Sequence, residues 1–171
     1  MKRFIFILCT AGLLAACNTN NPEPEELNEV QKAGRELAKF LTENYTKGDS
    51  VYLTTESGVK EGFVIDENYY SEHRIDSEVD GLLPDVRSCI AVTELRSKNN
   101  LLKILLKVGT LQDGLYKSGI VYIRGLNGGS GTLTQSDSEV RIETEDGRLC
   151  ILQKNKGIVS ISTKDGKSWK L

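Results

Sequence analysis

Residues 140–171, VRIETEDGRLCILQKNKGIVSISTKDGKSWKL, decide the fold. From 140 to 145 apolar or β-branched residues alternate with charged ones, which is typical of a strand with one buried and one charged face. Asp146-Gly147 predicts a tight hairpin turn, and Asn155-Lys156-Gly157 and Asp165-Gly166 predict further turns. The stretch therefore predicts an antiparallel β-meander.

The same strand-and-turn texture extends back to residue 49. We expect a hairpin from 51–55, through Ser57-Gly58, to 59–65. Residues 66–85 are polar and predict a long connection. Further buried or strand segments are expected at 86–95, 101–111 and 119–124, and residues 101–111 fit the helical period as well as the strand period.

One helix is expected before the strands. Between residues 25 and 47 apolar side chains such as Val30, Leu37 and Leu41 recur at spacings of three and four, and Gly48 supplies a stop. We therefore predict one α+β, mainly β domain over 25–171, with an amphipathic helix over 25–47 and a β-rich part over 49–171. The helix is expected to pack on an antiparallel sheet, arranged as a sandwich or a small open barrel that ends in the meander.

Residues 1–16 have the layout of a secretory signal. Lys2 and Arg3 precede an apolar run that is shorter than the about 20 residues of a bilayer-spanning helix, which disfavours a transmembrane anchor. The run ends Leu14-Ala15-Ala16-Cys17, and this sequence resembles the lipobox of bacterial lipoproteins. The resemblance implies that residues 1–16 are removed and that Cys17 is lipidated.

The same resemblance implies a location in the cell envelope. Lipid chains on Cys17, palmitate among them, would hold the protein to a membrane, since stable anchoring takes more than one chain. Residues 17–24 then form a short tether. Asn18 stands where an aspartate often retains lipoproteins in the inner membrane, which favours the outer membrane. Whether the domain faces the periplasm or the cell surface stays open.

Composition limits the partners. The chain has 22 basic and 24 acidic residues, and Lys2 and Arg3 leave with the signal, so the mature chain carries 20 against 24. Nucleic acid is therefore not an expected partner, because its binding depends on cationic contacts with phosphates. No cofactor is expected either.

Two cysteines of the expected mature domain are candidates for a disulfide. Cys89 and Cys150 both fall in apolar, strand-like segments, and an exported protein lies in an oxidising compartment. We expect them to bond. The alternative is a pair of buried free cysteines that act as small apolar residues.

No catalytic or metal-binding constellation is predicted. The single histidine, His73, has no recognisable nucleophile elbow or second ligand around it, so a surface position is expected. The segment Asp76-Ser77-Glu78-Val79-Asp80-Gly81 resembles the opening of an EF-hand calcium loop. Because Arg87 stands at the twelfth position, where a glutamate is required, we expect a solvated acidic turn instead.

Two features are candidates for ligand binding. The glycine-rich segment 125–131 lacks the lysine of a phosphate-binding loop and predicts a loop between strands that a ligand can approach closely. Its candidate ligand residues are Gly125, Asn127, Gly128, Gly129 and Gly131. A sugar-binding aromatic platform, or alternatively part of the core, is expected from Tyr69, Tyr70, Tyr116, Tyr122 and Trp169.

The functional expectation is a lipid-anchored envelope protein with a non-catalytic binding or structural role. Its partners would be the membrane, through the lipid, and an envelope macromolecule or glycan. The alternatives are a small envelope hydrolase that uses His73 or a carboxylate pair, and an inhibitor or immunity-type protein that acts on a partner enzyme.

Overall fold

The computed structural model describes residues 27–75, 85–111, 114–124 and 129–171. These residues form one α-helix, one 3-10 turn and ten strands, which confirms the prediction of a mainly β chain with one helix. In chain order the elements are α1 (Glu29–Ala38), the 3-10 turn (Thr42–Asn44), β1 (Ser50–Thr55), β2 (Lys60–Ile75), β3 (Asp85–Arg96), β4 (Leu101–Leu111), β5 (Gly114–Ile123), β6 (Gly129–Gln135), β7 (Glu139–Thr144), β8 (Leu149–Gln153), β9 (Gly157–Ser162) and β10 (Ser168–Lys170).

The strands form a closed antiparallel barrel rather than a sandwich or an open barrel. Each strand pairs with the next one along the chain, and β10 pairs with β1 through Thr54 with Lys170 and Thr55 with Trp169. This last pairing joins the two strands that would otherwise be edges. Closure satisfies their backbone groups, which an open sheet would leave exposed.

The turns of the meander lie where the sequence places them. Around Asp146-Gly147 the Thr144 amide donates to the carbonyl of Arg148, and the Arg148 amide donates to the Thr144 hydroxyl. The Gly147 amide donates to the carbonyl of Thr144, and Gly147 adopts a φ of +81°. Gly166 closes the β9–β10 turn with a φ of +92°. Glycine adopts these left-handed conformations without strain, and the predicted turns at Asp146-Gly147 and Asp165-Gly166 are confirmed.

The long connection expected over 66–85 is wrong. β2 continues to Ile75 and β3 begins at Asp85, and residues 76–84 lie outside the described part of the chain. The polar composition has a physical reason, because the inward side chains of this part of β2 meet the polar backbone and side chains of the helical segment. Asn68 donates to the carbonyls of Thr42 and Tyr45 at 2.8 and 2.6 Å.

The helix is shorter than the predicted range of 25–47. Asn28 and Gln31 form a capping box at its start, with bonds of 2.9 and 3.0 Å, and α1 ends at Ala38. The chain then bends so that Phe40 and Leu41 enter the core, where they are 1% and 0% exposed. Burial of two large apolar side chains off the helix axis outweighs continuation of the helix.

The helix plugs one end of the barrel. Strands β2 to β5 contain 16, 12, 11 and 10 residues, whereas the remaining strands contain three to seven. The long strands extend beyond the short ones and α1 contacts β3 and β4 there. At Gly34 an added Cβ would lie 2.5 Å from the Cβ of Cys89, so glycine permits this close approach. Residues 101–111, which fit both periods, are strand β4.

The core fills the space between the helix and the inward faces of the strands. Its fully buried large side chains are Leu37, Phe40, Leu41, Leu53, Phe63, Ile65, Leu95, Leu102, Ile104, Leu106, Ile142 and Leu152. Alternate residues of β4 and β7 point inward, which is the period of two that the sequence shows over 140–145.

The expected disulfide is absent, because Cys89 and Cys150 are both free and buried. Cys89 lies on β3 beneath the helix, where its Sγ donates to the carbonyl of Val30 at 3.6 Å. Cys150 lies on β8, paired with Ile142 and Ile161 of the neighbouring strands. β3 and β8 are not neighbours in the barrel, and burial raises the pKa of both thiols. The alternative of two buried thiols is the arrangement the structure shows.

Candidate binding site at the mouth of the barrel

The barrel has two different ends. Because the strands alternate in direction, the turns at 56–59, 97–100, 145–148 and 163–167 all lie at the end away from α1. We call this end the mouth and the other the helix end. A cleft of about 370 Å³ opens at the mouth, within the usual range for small-molecule sites. We call it the mouth cleft, and its lining comprises Thr55, Glu56, Ser57, Asn100, Ile123, Arg124, Lys167, Ser168 and Trp169.

A hydrogen-bonded carboxylate fixes the floor of the mouth cleft. Glu61 of β2 accepts from Trp169 Nε1 at 3.2 Å and from Asn100 Nδ2 at 2.9 and 3.0 Å. The Ser97 hydroxyl donates to the same carboxylate at 2.5 Å. Glu61 therefore ties β2 to β10 and to the β3–β4 turn, so the polar atoms of Asn100 and the indole of Trp169 are held in place before any ligand arrives.

Charged groups of the mouth cleft are not neutralised by one another. Within the described residues, no ion pair involves Arg124 or Glu56, and Lys167 only approaches Asp165 at 3.8 Å, with both side chains more than half exposed. Exposed pairs of this kind contribute little. The lining therefore carries two cations and one anion, in a chain whose expected mature form is net acidic.

A buried arginine supports the wall next to the mouth. The side chain of Arg148 is 4% exposed and donates to the carbonyl of Val121 and to Asp146, both at 2.6 Å. The Thr144 hydroxyl and Arg148 together hold the pKa of Asp146 below its usual range. Sequence reasoning missed this cluster. The signal available was an arginine directly after a turn glycine, which does not distinguish a buried guanidinium from an exposed one.

A second, wider groove lies at the helix end. It encloses about 570 Å³ where β5 and β6 separate below their paired residues and α1 lies behind them. Glu29 and Glu36 line it together with Lys32 and Lys117. Lys117 already donates to Gln135 at 2.6 Å, so one of the two cations is engaged.

The glycine-rich segment lies only partly within the described residues. Gly125, Asn127 and Gly128 lie outside the described residues. Gly129 and Gly131 belong to β6, where a Cβ on Gly131 would collide with the backbone of Glu143. These two glycines therefore serve close packing of β6 against β7. Arg124 of the mouth cleft directly precedes the segment.

The five aromatic residues do not share one surface. Trp169 is 4% exposed in the core, and Tyr70 faces inward against the helix. Tyr69 is 47% exposed on the outer face, and Tyr116 and Tyr122 of β5 are half-buried. The structure therefore does not bring them together as an aromatic platform, although Trp169 contributes to the mouth cleft.

His73 lies exposed on β2, opposite Ser88. No hydrogen bond or ion pair joins it to another described side chain. The acidic segment 76–81 lies outside the described residues. Across the part of the chain that is described, no group of three or more His, Cys, Asp or Glu residues is arranged to hold a metal ion.

A small titratable cluster lies between α1 and β2. The Tyr70 hydroxyl and the Gln31 amide donate to Glu72, and Arg35 lies 3.5 Å from it. Burial raises the pKa of Glu72, but the bond from Gln31 and the charge of Arg35 outweigh it, so the pKa lies below its usual range. Burial raises the pKa of both Tyr70 and Cys89, which leaves neither group activated as a nucleophile. The cluster attaches the helix to the barrel.

Comparisons with known proteins give no relative. No protein-family model matches the chain, and neither a curated protein nor a solved structure matches it. Among the described residues no helix is long and apolar enough to cross a membrane.

Proposed function

We propose that this chain is a lipid-anchored cell-envelope protein that binds another envelope component, a macromolecule or a glycan, through the mouth of its barrel and without catalysis. The observation that carries the proposal is the position of the mouth cleft. It lies at the opposite end of the barrel from α1, where the chain arrives from Cys17. A membrane-tethered domain built in this way presents its cleft away from the bilayer.

The length of the tether supports this orientation. Nine residues lie between Cys17 and Leu27, so the ten Cα–Cα steps of this connection span at most about 35 Å when fully extended. The helix end therefore stays close to the bilayer that holds the lipid. Asn18 favours the outer membrane as that bilayer, for the reason given by the lipoprotein resemblance.

A binding role without catalysis is supported by what surrounds the cleft. Its hydrogen-bonded carboxylate, Glu61, is occupied by donors from Ser97, Asn100 and Trp169. The single histidine lies on β2, on a part of the strand that extends toward the helix end. The cleft thus combines polar lining groups with no nearby general base of the histidine type among the described residues.

Two experiments test the proposal. Cells that express the full chain or Cys17→Ser are fed labelled palmitate, and only the unaltered chain is expected to be labelled and to fractionate with the outer membrane. Absence of label, or unchanged membrane partitioning of Cys17→Ser, contradicts the anchor.

The second experiment tests the mouth as the binding surface. Detergent-solubilised envelopes are cross-linked to the full chain, to Arg124→Glu/Lys167→Glu at the mouth, or to the matched control Lys32→Glu/Lys117→Glu at the helix end. Loss of the captured component with the mouth variant alone is expected. Equal loss with both variants contradicts the site, and turnover of an envelope substrate that His73→Ala abolishes contradicts a role without catalysis.

A further inference from the structure

We infer that the mouth cleft binds a sugar that carries a carboxylate, with Arg124 and Lys167 holding the carboxylate. The inference rests on the proposed function for the accessibility of the mouth, and it names the chemical class of the ligand. The charges, the polar groups and the apolar floor of the cleft each support it.

The charges favour an anionic group. Arg124 forms no ion pair with a described residue, and Lys167 keeps only the long contact to Asp165. A guanidinium offers a planar fork of donors that matches a carboxylate, and a nearby ammonium adds a second donor. An anion placed between them would gain charge-assisted hydrogen bonds that no described protein group supplies.

The remaining polar groups favour hydroxyl groups on the same ligand. Thr55, Ser57 and Ser168 bring hydroxyls to the lining. The Thr55 and Ser57 hydroxyls bond to each other at 3.0 Å, so this pair keeps one donor for a ligand, whereas the Ser168 hydroxyl can donate and accept. Both Asn100 bonds to Glu61 use its Nδ2, so the side-chain oxygen of Asn100, Oδ1, remains available as an acceptor. Glu56 adds an acceptor that repels a second anion, which selects one carboxylate among several hydroxyls rather than a polyanion.

The floor favours a ring with an apolar face. Ile123 and Trp169 lie at the base of the cleft, and Trp169 is fixed by its bond to Glu61. Sugar rings present C–H groups on one face and hydroxyls at their edges, which fits an apolar floor with polar walls. Because the Glu61 network holds the floor rigid, little ordering is needed on binding.

The test uses a probe that the protein already contains. Trp169 is the only tryptophan in the chain, so intrinsic tryptophan fluorescence reports from this cleft alone. The full chain in detergent is titrated with N-acetylmuramic acid, with N-acetylglucosamine, which lacks the lactyl carboxylate, and with sodium lactate, which lacks the sugar. We expect saturable binding of the sugar acid that is at least about tenfold tighter than that of either half alone.

Variants assign the contacts. Arg124→Met and Lys167→Met are each expected to weaken binding of N-acetylmuramic acid by about tenfold, as loss of a charge-assisted bond does. The matched control Lys117→Met at the helix end is expected to bind like the unaltered chain. Equal affinity for the acid and the neutral sugar, equal affinity for lactate, or unchanged binding by both mouth variants overturns the inference.

The same chemistry occurs on a free sugar acid and on a glycan strand of the cell wall. Sedimentation of the full chain with insoluble cell-wall glycan, competed by free N-acetylmuramic acid, distinguishes the two sources. If the sugar acid does not bind while cross-linked capture still depends on the mouth, the inference fails and the proposed function stands. If palmitate labelling fails while the sugar acid binds, only the anchor fails.

Discussion

The helix end and the mouth of the barrel are closed by different means. At the helix end, Leu37, Phe40 and Leu41 are buried beneath four long strands, and polar contacts from Gln31 and Arg35 attach the helix at its rim. At the mouth, short turns meet around one carboxylate, and Arg124 and Glu56 form no ion pair with any residue that the structure describes. Apolar packing supplies most of the stability of a domain, whereas unpaired polar groups supply recognition. Under the proposed function, the two ends therefore divide folding from binding.

The largest expected effect lies at the helix end. Phe40→Ala removes a side chain that is 1% exposed and leaves a cavity under the helix, so we expect the free energy of unfolding to fall by about 3–5 kcal/mol. Denaturant titration followed by circular dichroism measures it. Val59→Ala, at a side chain 61% exposed in the β1–β2 turn, is the control, with a change within about 0.5 kcal/mol. Similar losses in the free energy of unfolding of both variants would show that apolar burial at the helix end does not dominate stability.

Arg148 is a buried cation near the mouth, so it tests whether a buried side chain at this end also stabilises the fold. Arg148→Met leaves the Val121 carbonyl without its donor and Asp146 without its ion pair, so we expect a loss of about 1–3 kcal/mol in the same titration. Arg141→Met is the matched variant, since the Arg141 side chain is 50% exposed and is expected to change stability by less than about 0.5 kcal/mol. An unchanged free energy of unfolding in Arg148→Met would show that the buried guanidinium does not stabilise the fold.

The attachment of the helix is expected to depend weakly on pH. The pKa of Glu72 is lower in the folded protein than in the unfolded chain, so its contribution is present above the unfolded value and is lost as pH falls through the folded value. Glu72→Gln should therefore cost about 1 kcal/mol or less at pH 7 and less than that at pH 3. Thermal unfolding at both pH values measures this difference. A cost independent of pH would mean that the carboxylate charge is not involved.

The smallest expected effect on stability is at the mouth cleft. Arg124 is exposed and Lys167 is 63% exposed, so Arg124→Met and Lys167→Met should leave the free energy of unfolding within about 0.5 kcal/mol of the unaltered chain. Denaturant titration and the fluorescence assay, carried out on the same sample, give its free energy of unfolding and its ligand affinity. A loss of stability comparable with that of Phe40→Ala would show that the charged side chains of the mouth cleft also stabilise the fold.

The sequence allowed the meander to be predicted because its cues are local. Turn residues such as Asp146-Gly147 and alternation over 140–145 act within a few residues of one another. The course of β2 could not be predicted in the same way. The polar side chains of Asn68 and Glu72 face the helical segment across the barrel. Because these partners are distant along the chain, they produce no periodic pattern in the sequence of β2.

The mouth cleft was beyond prediction for a related reason. Its lining comes from residues near 55, 100, 124 and 168, and only barrel closure brings these positions together. The glycine-rich segment pointed to this neighbourhood, since Arg124 directly precedes it. Neither Glu61 nor Arg148 carries any local sign that several donors converge on one and that the other is buried.

The pairing of β1 with β10 has a consequence for the order of assembly in the cell. The ribosome delivers β1 long before β10, and the ring of strands cannot join until Thr54 and Thr55 meet Lys170 and Trp169. A chain still in transit therefore keeps two open strand margins, which are attractive to chaperones and hazardous at high concentration. Removing as little as the three-residue strand β10, Ser168–Lys170, should leave a sheet that cannot close rather than a slightly shorter folded protein.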